Sequence, residues 1–132
     1  MKRILAFTLT MLVAGAVALA QEGPGHSKEK KTAPVTLTGE VLDMYCYMDR
    51  GAMGPDHMKC AQSCIKKGLP VGFLAADGTV YLVTGKEHEP VNATLAEWAG
   101  KKSSITGIVK ENHGVKAIEF VSIAEAMAAG TK

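Results

Sequence analysis

The 132-residue sequence contains only three cysteines, no marked excess of charge and no apolar run long enough for a stable membrane span in the mature chain. Three cysteines are too few for a disulfide-built scaffold, and an odd number prevents complete pairing. The formal net charge is +2, and without Lys2 and Arg3 the 13 basic residues equal the 13 acidic ones. This balance argues against a nucleic-acid partner, because nucleic-acid binders rely on clustered cations.

Familiar catalytic motifs are also missing from the sequence. It has no G-x-S-x-G, P-loop, dinucleotide fingerprint, H-E-x-x-H or Ser-His-Asp order. Three residues separate Cys60 from Cys64, so this pair is neither the C-x-x-C of thioredoxin-like enzymes nor a haem-attachment motif. We therefore expect a protein that binds or senses rather than an enzyme that breaks bonds.

The first 20 residues are typical of an export signal. A positive start (Met1-Lys2-Arg3) precedes an apolar stretch, and Ala18-Leu19-Ala20 provides small residues for cleavage before Gln21. The alternative is an uncleaved N-terminal anchor. The pattern predicts a signal peptide over 1–20, a flexible leader over 21–34, one ordered domain over 35–123 and a tail over 124–132. The predicted location is the periplasm or the cell exterior, where conditions are oxidising.

The pattern of the ordered domain predicts a mainly β fold. Alternating or short apolar segments bounded by turns predict strands over 35–43, 71–76, 80–84, 103–111 and 115–123. A Cys-bearing helix over 56–67 is predicted after the first strand, and a short helix over 92–99 between the third and fourth strands. With the first helix taken as an insertion, this is the order of a five-stranded OB-like barrel.

Two of the predicted strands share one pattern. Residues 37–43 and 105–111 both read aliphatic, Thr, Gly, any residue, Val, any residue, acidic. Gly39 and Gly107 hold the same place in this pattern. Glycine inside a strand is typical of a bulge or a sharp bend, as a small closed barrel requires.

Residues 44–68 hold all three cysteines together with four methionines. On the predicted helix, His57, Cys60 and Cys64 follow the spacing i, i+3, i+7 and share one face. Cys46 is predicted at the end of the first strand, and a glycine-containing loop can fold it back over that face. Three thiols and an imidazole are suitable ligands for a soft or borderline metal ion.

Copper is the favoured ion and zinc the alternative. Met48 and Met58 are possible substitute ligands, because thioethers favour Cu(I) and remain ligands outside the cytoplasm. Asp49, Arg50 and Asp56 are candidates to orient a ligand, with a solvated loop as the alternative role for them. The expected partners are the metal ion and an envelope protein that donates or receives it.

Two other interpretations of the cysteines remain open. A disulfide from Cys46 to Cys60 or Cys64 would join the helix to the barrel and contribute about 3 kcal/mol in the chain-entropy model. A thiol–disulfide exchange protein is the second alternative, because Cys60 lies near a helix start whose dipole favours a thiolate.

The motifs G-E-V-x-D-x-x-C-Y (39–47), G-P-D-H-x-x-C-A-x-x-C (54–64) and G-x-P-V-G (68–72) resemble those of a family of small, uncharacterised exported bacterial proteins. The resemblance covers residues 35–123 and implies one exported domain with a cysteine site. The C-x3-C spacing is also similar to that of envelope copper-delivery proteins. Those proteins have a thioredoxin-like fold and a proline after the second cysteine, whereas Ile65 follows Cys64 here.

Overall fold

The computed structural model describes residues 33–126. The predicted signal peptide, the leader up to residue 32 and the tail from residue 127 lie outside the described residues. The described part contains five strands, three α-helices and two short 3-10 helices. In chain order they are β1 Val35–Asp43, α1 Met44–Arg50, 3-10 Pro55–His57, α2 Met58–Lys66, β2 Val71–Ala75, β3 Val80–Thr84, 3-10 Lys86–His88, α3 Asn92–Ala96, β4 Lys102–Asn112 and β5 Val115–Glu125.

The five strands form one mixed sheet that closes on itself in the order β1-β2-β3-β5-β4, with β4 returning to β1. All neighbours are antiparallel except β3 and β5, which run parallel through the pairs from Leu82–Ala117 to Thr84–Glu119. The predicted mainly β fold, and the predicted helices between the first two strands and between the third and fourth, are confirmed. Among residues 33–126, no helix is long and apolar enough to cross a membrane.

The two glycines that share a place in the repeated strand pattern lie where neighbouring strands leave no room for a side chain. Gly39 pairs with Ala75 of β2 on one side and with Ser103 of β4 on the other. A Cβ atom at Gly39 would lie 2.1 Å from the Leu74 carbonyl oxygen, so no larger residue fits. The pairing of β4 with β5 shifts register between Thr106 and Gly107. The irregularity predicted at Gly107 is therefore present, whereas pairing continues without a register shift through Gly39, where the glycine is required by the close approach of β2.

The core lies inside the closed sheet and under α2 and α3. Phe73, Leu95, Ile105 and Ile118 are fully buried there. Helix α2 turns Ala61 and Ile65, one turn apart, toward this core. As a result, the neighbouring face of α2, which carries the cysteines, lies beside the end of β1.

The helices differ in detail from the prediction. The segment around Cys46 is helical, although its flanking tyrosines favour an extended strand. The predicted helix over 56–67 divides into a 3-10 turn ending at His57 and α2 beginning at Met58. Helix α3 ends at Ala96 rather than at residue 99. Its first residue, Asn92, donates two hydrogen bonds to the carbonyl oxygens of Ile65 (3.0 Å) and Leu69 (2.8 Å), which joins α3 to the end of α2.

Candidate metal centre

Cys46 is positioned by an aspartate at the end of β1. Asp43 is fully buried, and its carboxylate accepts hydrogen bonds from the backbone N–H groups of Tyr45 (3.2 Å) and Cys46 (3.3 Å). These bonds satisfy two free amides of the first turn, so Asp43 is the N-cap of α1. The cap starts a helix directly after the strand and turns Cys46 inward, where it is only 4% exposed.

A glycine-containing loop then brings the chain back over Cys46. Gly51 ends α1 and Gly54 precedes the 3-10 turn, both with positive φ angles of 67° and 79°. The Gly54 N–H donates to the Glu40 carboxylate on β1, which fixes the start of the turn against the strand. This short return explains why residues fourteen apart in sequence, Cys46 and Cys60, are neighbours.

The returning chain places its donors in two groups that share Cys46. The first group is Cys46, His57 and Cys60, and the second is Asp43, Cys46 and Cys64; within each group all donor atoms lie within 4.8 Å of one another. Each group could hold a metal ion. The four ligands predicted from the sequence are all found here, but as members of two overlapping groups rather than of one.

His57 has an unused donor atom within this cluster. Its side chain is 14% exposed, and its Nε2 atom is buried without a hydrogen-bond partner. The nearest charged atom is Oδ2 of Asp43 at 3.8 Å, which is too long for a hydrogen bond. Because buried polar atoms are nearly always satisfied, this free nitrogen makes His57 a candidate to bind a ligand.

The environment of the cluster holds protons on two of its thiols. The Cys46 pKa rises from 9.0 to about 12, because the thiol hydrogen-bonds the Asp43 carboxylate, is buried and lies near that negative charge. Arg50 opposes this rise, since its Nη2 atom donates to Cys46 Sγ at 3.4 Å. The Cys64 pKa is raised by burial first and by the Asp43 charge second. A metal ion must therefore displace protons to bind here.

The three cysteines differ in their access to solvent. Cys60 is exposed, Cys64 is half-buried and Cys46 is buried, and all three are free thiols. The disulfide considered from the sequence is not formed in the described structure. The exposed Cys60 gives a ligand or a partner a direct approach to the first group.

The two methionines predicted as substitute ligands lie at the edge of this region. Met48 is 73% exposed on α1. Met58 is half-buried at the start of α2 and lies against Gly100. A Cβ atom added to Gly100 would lie 2.9 Å from the Met58 Cβ. Their role as ligands stays a prediction. Of the three candidates to orient a ligand, Arg50 contacts Cys46, Asp49 contacts Arg50 at 3.5 Å, and Asp56 is exposed in the 3-10 turn.

Asp43 is the site residue that the sequence interpretation missed. It was assigned to the first strand, where an acidic residue at a strand end is unremarkable. A usable sign was available: an acidic residue three positions before Cys46, directly after an apolar strand, is typical of an N-cap. With Asp43 included, the cluster offers sulfur, nitrogen and oxygen donors and can hold a soft or borderline cation.

Comparison of the chain with protein-family models, with curated proteins and with solved structures finds no match. The geometry of the cluster is therefore the main guide to function.

Proposed function

We propose that this protein is an exported copper-binding protein that holds Cu(I) between Cys46, His57 and Cys60 for storage, delivery or sensing. One observation carries the proposal: two thiols and an imidazole lie within 4.8 Å of one another, and that imidazole has a buried nitrogen without a partner. Metal bonds to sulfur and nitrogen of about 2.0–2.3 Å would fit between such atoms with small side-chain movements.

The donor set favours copper over zinc. Two thiolates and one imidazole make a soft, three-coordinate site, whereas structural zinc sites need four ligands in a tetrahedron. The exposed thioethers of Met48 and Met53 lie on the segment that forms the site and offer further soft donors. Zinc, with Asp43 or Cys64 as a fourth ligand, is the alternative ion.

Metal analysis of the purified protein tests this function. The full chain is expressed, purified without oxygen and analysed for metals by mass spectrometry, and its thiols are titrated with and without metal. We expect bound copper and protection of Cys46 and Cys60 from alkylation. Zinc in place of copper would contradict the choice of ion. A protein that binds neither ion, even after addition of each in excess, would refute the function.

A pair of histidine variants tests whether His57 is a ligand of the metal ion. His57→Gln removes the imidazole and should weaken Cu(I) binding at least about tenfold. His113→Gln is the matched control, because His113 lies exposed in the turn between β4 and β5 and should leave affinity unchanged. Equal affinities of the two variants would exclude His57 as a ligand.

Thiol–disulfide exchange is a second candidate function. It is supported by Cys46, whose sulfur lies within 4.8 Å of the thiols of both Cys60 and Cys64. The exposed Cys60 would be the attacking thiol. A reversible dithiol couple, measured by equilibration with glutathione, together with absence of metal binding would favour this function over the first.

The proposal also includes export from the cytoplasm, an OB-like fold class and membership of the resembled family of exported proteins. The strand order β1-β2-β3-β5-β4 and the parallel β3–β5 pair support an OB-like barrel. Membership of the resembled family of exported proteins is supported by the structural use of its motif residues: Asp43 caps α1, and Gly54 and Gly68 adopt positive φ angles. Cell fractionation and N-terminal sequencing test export, with Gln21 expected as the first residue.

A further inference from the structure

The cluster contains more donors than one three-coordinate ion needs. His57 and Cys60 lie with Cys46 in one group, and Asp43 and Cys64 lie with Cys46 in the other. Cys46 Sγ is the only donor common to both groups, so it lies between two sets of possible ligands.

We propose that the site binds two monovalent soft cations bridged by the Cys46 thiolate, the second one held between Cys46 and Cys64 beside Asp43. This proposal rests on the proposed function for the first ion. It adds a second ion, which is a Cu(I)-class cation, and assigns Cys64 as a ligand to that ion alone.

The distances between donors permit the second ion. Two metal–sulfur bonds of about 2.3 Å each span at most about 4.6 Å between two sulfur atoms. The Cys46 and Cys64 sulfurs lie within 4.8 Å of each other, so one ion can bond to both without a large movement of either residue. Cys64 is half-buried on α2, so its sulfur is not closed off from solvent.

Asp43 supports the second ion mainly through its negative charge and not through a bond to the metal. Both of its carboxylate oxygens already accept N–H groups of α1, at 3.2 and 3.3 Å, and the carboxylate also accepts from the Cys46 thiol in the metal-free protein. The second ion therefore depends on the two sulfurs, and the buried carboxylate attracts the cation toward them. Arg50, which donates to Cys46 Sγ, balances part of the negative charge of the thiolates.

The binding step balances without an oxidant. The second ion replaces the proton of the Cys64 thiol: one sulfur–hydrogen bond breaks, and the proton goes to solvent. Two sulfur–metal bonds form, one to Cys64 and one to Cys46, which has already lost its proton to the first ion. Because a monovalent ion replaces a proton, the local charge does not change. A site that holds one ion can therefore accept another without new charge in a partly buried place.

Stoichiometry tests this proposal. The reduced full chain is titrated anaerobically with Cu(I) in competition with a chromophoric chelator, and the loaded protein is weighed by native mass spectrometry. We expect two ions in the unaltered protein and one in Cys64→Ser, with the affinity of that remaining ion changed less than threefold. Ser63→Ala, an exposed change on the same helix, is the matched control and should retain two ions.

X-ray absorption of the doubly loaded protein gives an independent measurement. A metal–metal scattering contribution is expected there, and it should be absent from Cys64→Ser. Cys46→Ser should bind neither ion tightly, because it removes the shared ligand. Its circular dichroism establishes whether it folds, and Cys64→Ser keeps the test valid if it does not.

The two proposals fail in different ways. One ion in both the unaltered protein and Cys64→Ser would overturn the second ion and leave the proposed function standing. Two ions in Cys64→Ser would show that Cys64 is not a ligand and would also overturn it. Absence of binding in the unaltered protein would refute the proposed function itself.

Discussion

Asp43 has two separable roles, as the N-cap of α1 and as a negative charge beside Cys46. Asp43→Ala removes both, whereas Asp43→Asn keeps a capping oxygen of the same reach and removes the charge. Asparagine and aspartate are about equally good N-caps. The pair of variants therefore distinguishes helix capping from electrostatics at this buried position.

The expected loss of stability follows from the two hydrogen bonds that Asp43 accepts. Loss of an N-cap costs about 0.5–2 kcal/mol, and the upper half of that range applies here because both bonds go to a buried carboxylate. For a domain of this size, about 1–2 kcal/mol lowers the midpoint of thermal unfolding by roughly 4–16 °C. We expect this loss in Asp43→Ala and about half of it in Asp43→Asn, because the single amide oxygen of asparagine keeps one of the two hydrogen bonds. Both losses are measured by differential scanning calorimetry on the metal-free protein.

The effect of the Asp43 charge is measured through the pKa of the Cys46 thiol. Asp43 is the main cause of the raised Cys46 pKa, so both variants should lower that pKa from about 12 toward the ordinary value of 9.0. The assay is the pH dependence of alkylation in a chain that also carries Cys60→Ser and Cys64→Ser. Asp77→Ala is a control for stability, because Asp77 caps only an exposed turn through Thr79 N. If Asp43→Asn costs as much stability as Asp43→Ala and leaves the Cys46 pKa unchanged, this account of Asp43 is wrong.

Three further predictions concern the closed sheet, the helices and the metal. Gly39→Ala should lower the free energy of unfolding in urea by about 3 kcal/mol or more, because the new Cβ would lie 2.1 Å from a backbone oxygen. Gly114→Ala is the comparison: it has open space but a φ of 83°, and should cost about 1–2 kcal/mol. Equal losses in the two variants would contradict the argument. Asn92→Ala leaves the carbonyl oxygens of Ile65 and Leu69 without their donor and should lower the free energy of unfolding by about 1–3 kcal/mol. An unchanged midpoint of urea unfolding would show that water replaces the amide. Because Cys46 keeps its proton at neutral pH, Cu(I) must displace it, and the Kd for Cu(I) should fall roughly tenfold for each unit of rising pH and each proton displaced. A Kd that does not change between pH 6 and 8 would show that no proton is released.

The raised Cys46 pKa also predicts how the metal-free protein responds to alkali. Between pH 9 and 12 the unfolded thiol has lost its proton and the folded one still holds it, so stability should fall as the pH rises through this interval. Below pH 9 both states are protonated and Cys46 adds no dependence on pH. Chemical unfolding at pH 8 and pH 10, compared with the same measurement on Cys46→Ala, checks the sign. A protein as stable at pH 10 as at pH 8 would contradict the raised pKa.

The positions of the strands along the chain and of their two glycines could be predicted from local patterns in the sequence. These features depend on local chemistry: alternation of apolar residues, turn residues between strands, and a glycine at the same place in β1 and β4. The same local periodicity placed His57, Cys60 and Cys64 near one another, because residues three and four apart on a helix share a face.

The grouping of these donors, by contrast, depends on tertiary packing. The sequence could not show that Cys46 lies on a helix, because its neighbours Tyr45 and Tyr47 favour a strand and the N-cap that overrides them is a buried aspartate of β1. It also could not show that Cys64 faces Asp43 while His57 and Cys60 face each other, since this depends on where the loop through Gly51 and Gly54 returns the chain. Distances between residues far apart in sequence are set by packing, and packing is a property of the whole fold.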